Sequence, residues 1–343
     1  MSTFDLSAFL LTLPKVELHL HLLGSASAPT VLELAGRHPH LGVPHDADQL
    51  TAFYAFRDFA HFIEVYGAVN ALVRRPEDVT ALVVGLGRDL AAVNVRYAEV
   101  TVTPISHLTQ GIPAQALANA LSEGRRQVSD RYPVELAWVF DVPGELGIQA
   151  AWETLAWVQR HRPDGTVGFG LGGPEVGVGR AQFTRPFTLA REAGLHSLPH
   201  AGETTGPATV WSALHDLGAE RIGHGINAVT DPRLLDYLAE HRITLEVCPT
   251  SNVRTGAVAS LDAHPLPRLL QWGVPVALST DDPGMFDTDL IREYRVAAEV
   301  FGLRPAELAQ LASDAVHASY CPDQLRAALL ADIKTALVEA RCR

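Results

Sequence analysis

The chain has 343 residues, of which 47% are hydrophobic and 19% charged, enough apolar material for a large buried core. A formal net charge of −12, with no basic patch, argues against phosphate polyanions, so no nucleic-acid partner is expected. No apolar run reaches the ~20 residues that cross a bilayer. The N-terminal stretch has neither a basic leader nor a small-residue cleavage signal. Cys248, Cys321 and Cys342 are scattered, with no CxxC pair. The expectation is a cytoplasmic protein without a membrane partner.

Short β-branched or apolar runs predict strands near Val16–Leu22, Val95–Thr103, Val134–Val142, Val167–Gly172, Ser197–Ala201, Arg221–Gly225, Thr244–Cys248 and Val274–Ser279. Most are separated by stretches with apolar residues at helical spacing, such as Ala208–Leu217 and Pro232–His241. Eight strands alternating with helices predict an α/β fold, a (β/α)8 TIM barrel. The first connection is too long for one helix. It carries helical patterns over Pro29–Arg37, Arg57–Val73 and Pro76–Val93, read as a lid inserted after strand one. The segment after Asp289 reads as helices packed on the barrel. No repeat or low-complexity linker divides the chain, so residues 1–343 are expected to form one domain.

The chemistry lies in one constellation. His19 and His21 stand two apart on the first strand and face the same side. His200 ends another strand in LPHAGE, His224 ends the next in RIGHG, and Asp281 and Asp282 end the last in ALSTDDP. Catalytic groups of such barrels gather at the carboxyl ends of strands, where all of these fall. An isolated pair of histidines is as often an ordinary polar pair, but this pair has partners. Three imidazoles and one carboxylate suit zinc with an open position for water; iron or manganese stays possible on ligand type. A bridging lysine, frequent in two-metal barrels, is missing from the middle strands, because Lys15 and Lys334 are the only lysines. One metal is therefore expected. Glu203, three residues after His200, suits a proton shuttle, or else a first-turn carboxylate of the following helix. Gly168, Gly170 and Gly173 satisfy GxGxxG, but Pro174 follows and no helix opens there, which rules against a dinucleotide site. These glycines read instead as a strand end that a flat ligand approaches. HExxH and PCxxC are both absent.

Six segments, taken in order, resemble the adenosine deaminase family of the amidohydrolase superfamily: KVELHLHLLGS (Lys15–Ser25), GLGGPE (Gly170–Glu175), PHAGETTGP (Pro199–Pro207), ERIGHG (Glu220–Gly225), EVCPTSN (Glu246–Asn252) and STDDPGMF (Ser279–Phe286). The resemblance implies a hydrolase that releases ammonia from C6 of an adenine-type purine nucleoside, with one zinc ion per chain. It implies that His19, His21, His200 and Asp281 bind the zinc. Glu203 would carry a proton to purine N1, and His224 would orient and deprotonate the attacking water. Asp282 would hydrogen-bond N7, and the Gly173 amide would reach N3.

One position departs from the family. Where adenosine deaminases typically carry HLDG, this chain has His21-Leu22-Leu23-Gly24. The family aspartate lies beside the ribose 5′-hydroxyl, and Leu23 cannot accept that hydrogen bond. An unpaired buried hydroxyl costs roughly 1–3 kcal/mol, so Leu23 suits a 5′ carbon substituent instead. LLGSAS, FRDFAHFIEVY, GPEVGV and HAGETTGP look like the 6-aminodeoxyfutalosine deaminases of this family, which act in the futalosine route to menaquinone. Their substrate extends from the 5′ carbon into a ketone and a benzoate ring. Phe53, Tyr54, Phe56, Phe59 and Phe62 are candidates to hold that ring, although packing accounts for most such residues. Arg57 is a candidate for the carboxylate, or for a surface salt bridge. Adenosine is the second substrate reading and free adenine the third. A catalytically silent binding protein on the same fold is a different class, disfavoured because every ligand and the acid are kept.

Overall fold

The computed structural model describes residues 5–56 and 59–342. Eight parallel strands run in sequence order: β1 (Lys15–His21), β2 (Val95–Val102), β3 (Glu135–Pro143), β4 (Thr166–Gly172), β5 (His196–Ala201), β6 (Arg221–His224), β7 (Thr244–Val247) and β8 (Val276–Leu278). Each pairs in parallel with the next. A parallel bridge between Leu20 and Asp281 brings β1 against the segment that follows β8, so the barrel closes. The strands lie within one or two residues of those expected, and all eight run into buried positions. This follows from their composition: parallel strands covered by helices are apolar on both sides.

Helices between strands start where capping chemistry allows. Pro232–Glu240 opens with proline in its first turn and with Asp231 accepting from the Arg233 amide; it buries Leu234, Leu235 and Leu238 on one face. The long first connection holds helices at Ala28–Arg37, Ala47–Phe53, Phe59–Asn70 and Pro76–Ala92. The last of these packs against β2 and the helix Ala114–Arg131, as an ordinary crossover helix does, so the inserted lid is the part before it. Asp78, fully buried, ties the two together. It accepts from the Arg74 and Arg75 amides and meets Arg37 and His38, each at 3.0 Å. Arg57 and the side chain of Phe59 lie outside the described residues.

The N-terminal apolar stretch forms a helix, Leu6–Thr12, on the barrel's amino end. Buried Lys15 donates to the carbonyls of Leu10 and Leu13 at 2.7 and 2.6 Å, holding the helix end by the kind of contact that favours cations there. The last segment forms helices Leu290–Glu299, Pro305–Ala318 and Asp323–Cys342, as expected of the tail. Among the described residues no helix is long and apolar enough to cross a membrane.

A chain of buried charges runs beneath the strand ends. Arg221 on β6 reaches Glu246 on β7 at 2.6 Å and Glu99 on β2 at 2.5 Å. Glu99 also accepts from the Tyr320 amide at 2.7 Å, which ties the C-terminal region to the barrel. Removing one member of such a network strands buried charge. Arg221→Ala leaves Glu99 and Glu246 facing each other, so a loss of about 3–5 kcal/mol is expected. Urea titration checks this; a loss below 1 kcal/mol would show that solvent reaches the pair.

Candidate active site

The strand ends bring the expected residues to one place. His19 and His21 stand on β1, His200 on β5 and His224 at the end of β6, while Asp281 and Asp282 lie just past β8. His224 (φ 59°) and Asp281 (φ 68°) both take left-handed backbone, costing about 1–3 kcal/mol each at a non-glycine residue. The surrounding barrel holds them there. The alternation of a regular strand therefore does not apply to Asp281 and Asp282, because β8 ends before them and Asp282 precedes the short helix Pro283–Phe286.

His19, His200, His224 and Asp281 are buried, and one ligand-type atom from each lies within 4.8 Å of the others. His21 stands at the same point: its Nε2 is 3.3 Å from His200 Nε2 and 3.2 Å from Asp281 Oδ1. His19 Nε2 is 3.5 Å from that same oxygen. Ligands about 2.0–2.1 Å from a tetrahedral ion lie about 3.4 Å from one another. The three contacts His21–His200, His21–Asp281 and His19–Asp281, at 3.3, 3.2 and 3.5 Å, match that spacing. The His224 Nε2 to Asp281 Oδ2 distance, 3.9 Å, is longer. His19 Nε2 is buried and has no hydrogen-bond partner. Unpaired buried nitrogen is costly, and a cation at the shared point resolves it. The residues present fit a metal ion.

Their charge points the same way. Burial pulls the His19 and His21 imidazoles down, but Asp281, helped at His19 by Glu246, carries them up to about 10 and about 9. A proton there takes the place of a metal's charge. Burial pushes the Asp281 carboxyl up, yet the His19 and His21 imidazoles beside it hold it well below the usual carboxylate range. Burial pulls His200 well down and His224 to about 4.

Glu203 lies at the rim. Its Oε2 is 3.7 Å from His224 Nε2, and Oε1 accepts from Asn252 Nδ2 at 3.3 Å. The following helix begins at Pro207, so Glu203 is not one of its first-turn residues. Burial, then the charge of Asp281, raises the Glu203 carboxyl. The same two causes push Asp282 to about 7. Asp282 Oδ1 is buried and has no hydrogen-bond partner. Gly24 makes room for it, since a Cβ at residue 24 would stand 1.6 Å from that oxygen. Leu23 is buried in the same turn after β1.

The glycine reading needs a correction. Cβ atoms at Gly168 and Gly170 would meet Leu198 and Asp141 on neighbouring strands, so these glycines serve barrel packing rather than ligand approach. Gly173 differs: it lies past β4 with φ +80°. Of the lid aromatics, Phe56 and Phe62 pack edge to face at 5.3 Å, and Phe62 lies 5.1 Å from Phe286 beyond β8. Tyr54 lies 6.1 Å from Phe56 and Phe53 lies 6.0 Å from Tyr54, so the four form one aromatic run.

Sequence reasoning missed the residues behind the ligands. Glu246 meets His19 Nδ1 at 2.8 Å, and Ser251 donates to Asp281 Oδ2 at 2.6 Å. Asn252 stands between His224 and Glu203. All three belong to EVCPTSN, a matching segment whose roles only geometry assigns. Asp141, buried at the end of β3 and held by Thr103 at 2.5 Å, had no motif to mark it.

A parallel barrel with histidine and aspartate ligands at its carboxyl end, and a buried acid beside them, has the build of a metal-assisted hydrolase. Residues 14–336 match the adenosine deaminase family model. The chain is 52% identical to the aminodeoxyfutalosine deaminase of Streptomyces coelicolor over 333 residues, which cover 96% of this chain and 86% of that protein. It is 36% identical to the adenosine deaminase of Klebsiella pneumoniae, with 93% and 97% covered. A crystal structure of an amidohydrolase from Burkholderia ambifaria, with bound zinc, superposes with a TM-score of 0.90 at 25% identity, covering 100% of this chain and 97% of that one. The chain belongs to the adenosine deaminase family.

The two adjacent aspartates are expected to separate by metal content. Asp281→Ala should purify with metal well below one ion per chain, and Asp282→Ala should stay loaded while losing turnover. Elemental analysis decides it, and equal metal loss in both variants would overturn the assignment.

Proposed function

We propose that this chain is a zinc-dependent hydrolytic deaminase of adenine nucleosides, with 6-aminodeoxyfutalosine as its preferred substrate in menaquinone biosynthesis. One observation carries the reaction class: a metal-fitting quartet with the Glu203 carboxyl opening onto it. His19, His21, His200 and Asp281 would hold the ion, and the bound zinc of the Burkholderia structure supports its identity. When bound, such an ion supplies Lewis acidity and a nucleophilic water at neutral pH.

The chain's own residues do the rest. Glu203 gives a proton to purine N1, so attack at C6 builds no full negative charge on the ring. Asp282, unpaired and buried, is the group for N7. The Gly173 amide serves N3, and these two contacts hold the ring over the quartet. Ammonia then leaves from C6. We read the whole chain as one domain acting in the cytoplasm on a small-molecule nucleoside.

Substrate choice rests on Leu23 and on the relatives. Leu23 offers an apolar side chain where a free 5′-hydroxyl would need an acceptor, and the aromatic run of the lid offers further apolar surface. The 52% identity to an aminodeoxyfutalosine deaminase, against 36% to an adenosine deaminase, supports the same choice. Adenosine, then adenine, are the alternatives.

Glu203→Gln keeps size and hydrogen bonding but removes the transferable proton. The expected variant is folded and metal-loaded, with kcat lower by at least ~10²-fold. Near-normal kcat would remove Glu203 from the chemistry. For substrate, ammonia release should be compared on one preparation across purines that differ at the 5′ position. 6-Aminodeoxyfutalosine should show the highest kcat/KM, and Leu23→Asp should shift the ratio toward adenosine, because a buried carboxylate faces the extended 5′ chain unpaired. A wild-type preference for adenosine would refute the substrate.

A further inference from the structure

The hydrogen bonds behind His224 fix which of its nitrogens carries the proton. The chain of bonds starts at a backbone amide, whose role is not open to choice. The Leu266 N–H donates to His264 Nδ1 at 3.1 Å, so that nitrogen carries no proton. His264 is buried, and burial lowers its pKa to about 4, so the ring is neutral and its single proton sits on Nε2. That N–H faces Asn252 Oδ1 at 3.2 Å. The Asn252 amide is thereby oriented: its Nδ2 lies 3.2 Å from His224 Nδ1 and 3.3 Å from Glu203 Oε1. Turning the amide over would set Nδ2 against the His264 donor and an oxygen against the Glu203 carboxylate. The asparagine backbone is pinned as well, its N–H donating to Cys248 O at 2.9 Å and its carbonyl accepting from Val258 at 2.8 Å.

We propose that His264, acting through Asn252, is a positioning residue that holds His224 as the tautomer with hydrogen on Nε2, so that His224 faces the ligand cluster as a hydrogen-bond donor. Two consequences follow. A nitrogen that bears hydrogen does not ligate a metal, so His21 rather than His224 completes the quartet. That N–H also cannot take a proton from water, so His224 orients the attacking oxygen, and the proton this oxygen gives up passes to Glu203, which hands it on to purine N1. In place of the base expected from family resemblance, His224 becomes a fixed donor. The same amide gives its second hydrogen to Glu203, so one asparagine sets both groups at the rim. The inference rests on the proposed deaminase chemistry for its catalytic meaning, but not for the tautomer itself.

The test is nitrogen NMR on 15N-histidine protein, zinc-loaded and metal-free, with His224 assigned by His224→Gln. In the wild type, Nδ1 of His224 should give a pyridine-type signal and Nε2 a pyrrole-type signal. His264→Leu removes the donor and should mix or reverse the tautomer, with zinc content unchanged and kcat reduced by ~10–10²-fold at little change in KM. His264→Gln, which restores an N–H at similar reach, should recover part of both. Asn252→Asp replaces the amide donor by an acceptor and should move hydrogen to His224 Nδ1, even if the His264→Leu protein fails to fold. A pyrrole-type Nδ1 in the wild type, or an unchanged tautomer in Asn252→Asp, would overturn the proposal. If no adenine nucleoside releases ammonia, the deaminase reading fails while the NMR result still decides the tautomer.

Discussion

The barrel closes through the residues that carry the ligand atoms. The His21 N–H donates to Asp281 O at 2.8 Å, and the Asp281 N–H donates to His19 O at 3.0 Å. The seam between first and last strands is thus also the frame of the cluster. Positioning is what this chemistry requires, since a misplacement of ~1 Å can cost ~10²-fold in rate. Asp281 can keep its left-handed backbone because both neighbours in the seam fix it. Strain at a functional residue persists only where its surroundings over-determine it.

Behind that seam the ligands are held by charge. Glu246 meets His19 Nδ1, Arg221 meets Glu246, and Glu99 meets Arg221. The first link would leave Nε2 of His19 for an ion, because the carboxylate takes the hydrogen on Nδ1. Burying this many charges is not a route to stability by itself. It links β1, β2, β6 and β7 into one electrostatic unit and orients an imidazole. On the other side, the chain from His264 through Asn252 does the equivalent for His224 with neutral groups. One histidine is set up to give its lone pair to the cluster and the other to give its hydrogen.

Much of the fold was legible because its signals are local. The strands are short β-branched or apolar runs, so each stood out, and apolar residues at helical spacing marked helices such as Pro207–Asp216 and Pro232–Glu240. The histidines proposed as ligands were legible because they stand at or near strand ends inside matching segments. What stayed hidden depends on contact across the barrel. Glu99 and Arg221 lie far apart in sequence, and nothing near either residue announces the other. Asp141 has no motif, and its place beside Thr103 exists only once β2 and β3 pair. Gly168 and Gly170 were misread for the same reason. A glycine in a strand looks alike whether a ligand or a neighbouring Leu198 needs the space.

The arrangement also separates reaction from choice of substrate. Ligands, acid and His224 occupy β1 and the arc from β5 to β8. The ends of β2, β3 and β4 carry none of them, and of the proposed purine contacts only Gly173 stands there, just past β4. Leu23 lies along the chain between β1 and the first helix of the lid. The lid does not float free of the reacting side, however, because Phe62 packs on Phe286, four residues past Asp282 in the loop that carries both aspartates. A ligand that moves those aromatics therefore presses on the segment that carries Asp281 and Asp282. This gives a remote 5′ substituent a physical route to the reacting centre, through which its binding energy can improve turnover as well as affinity.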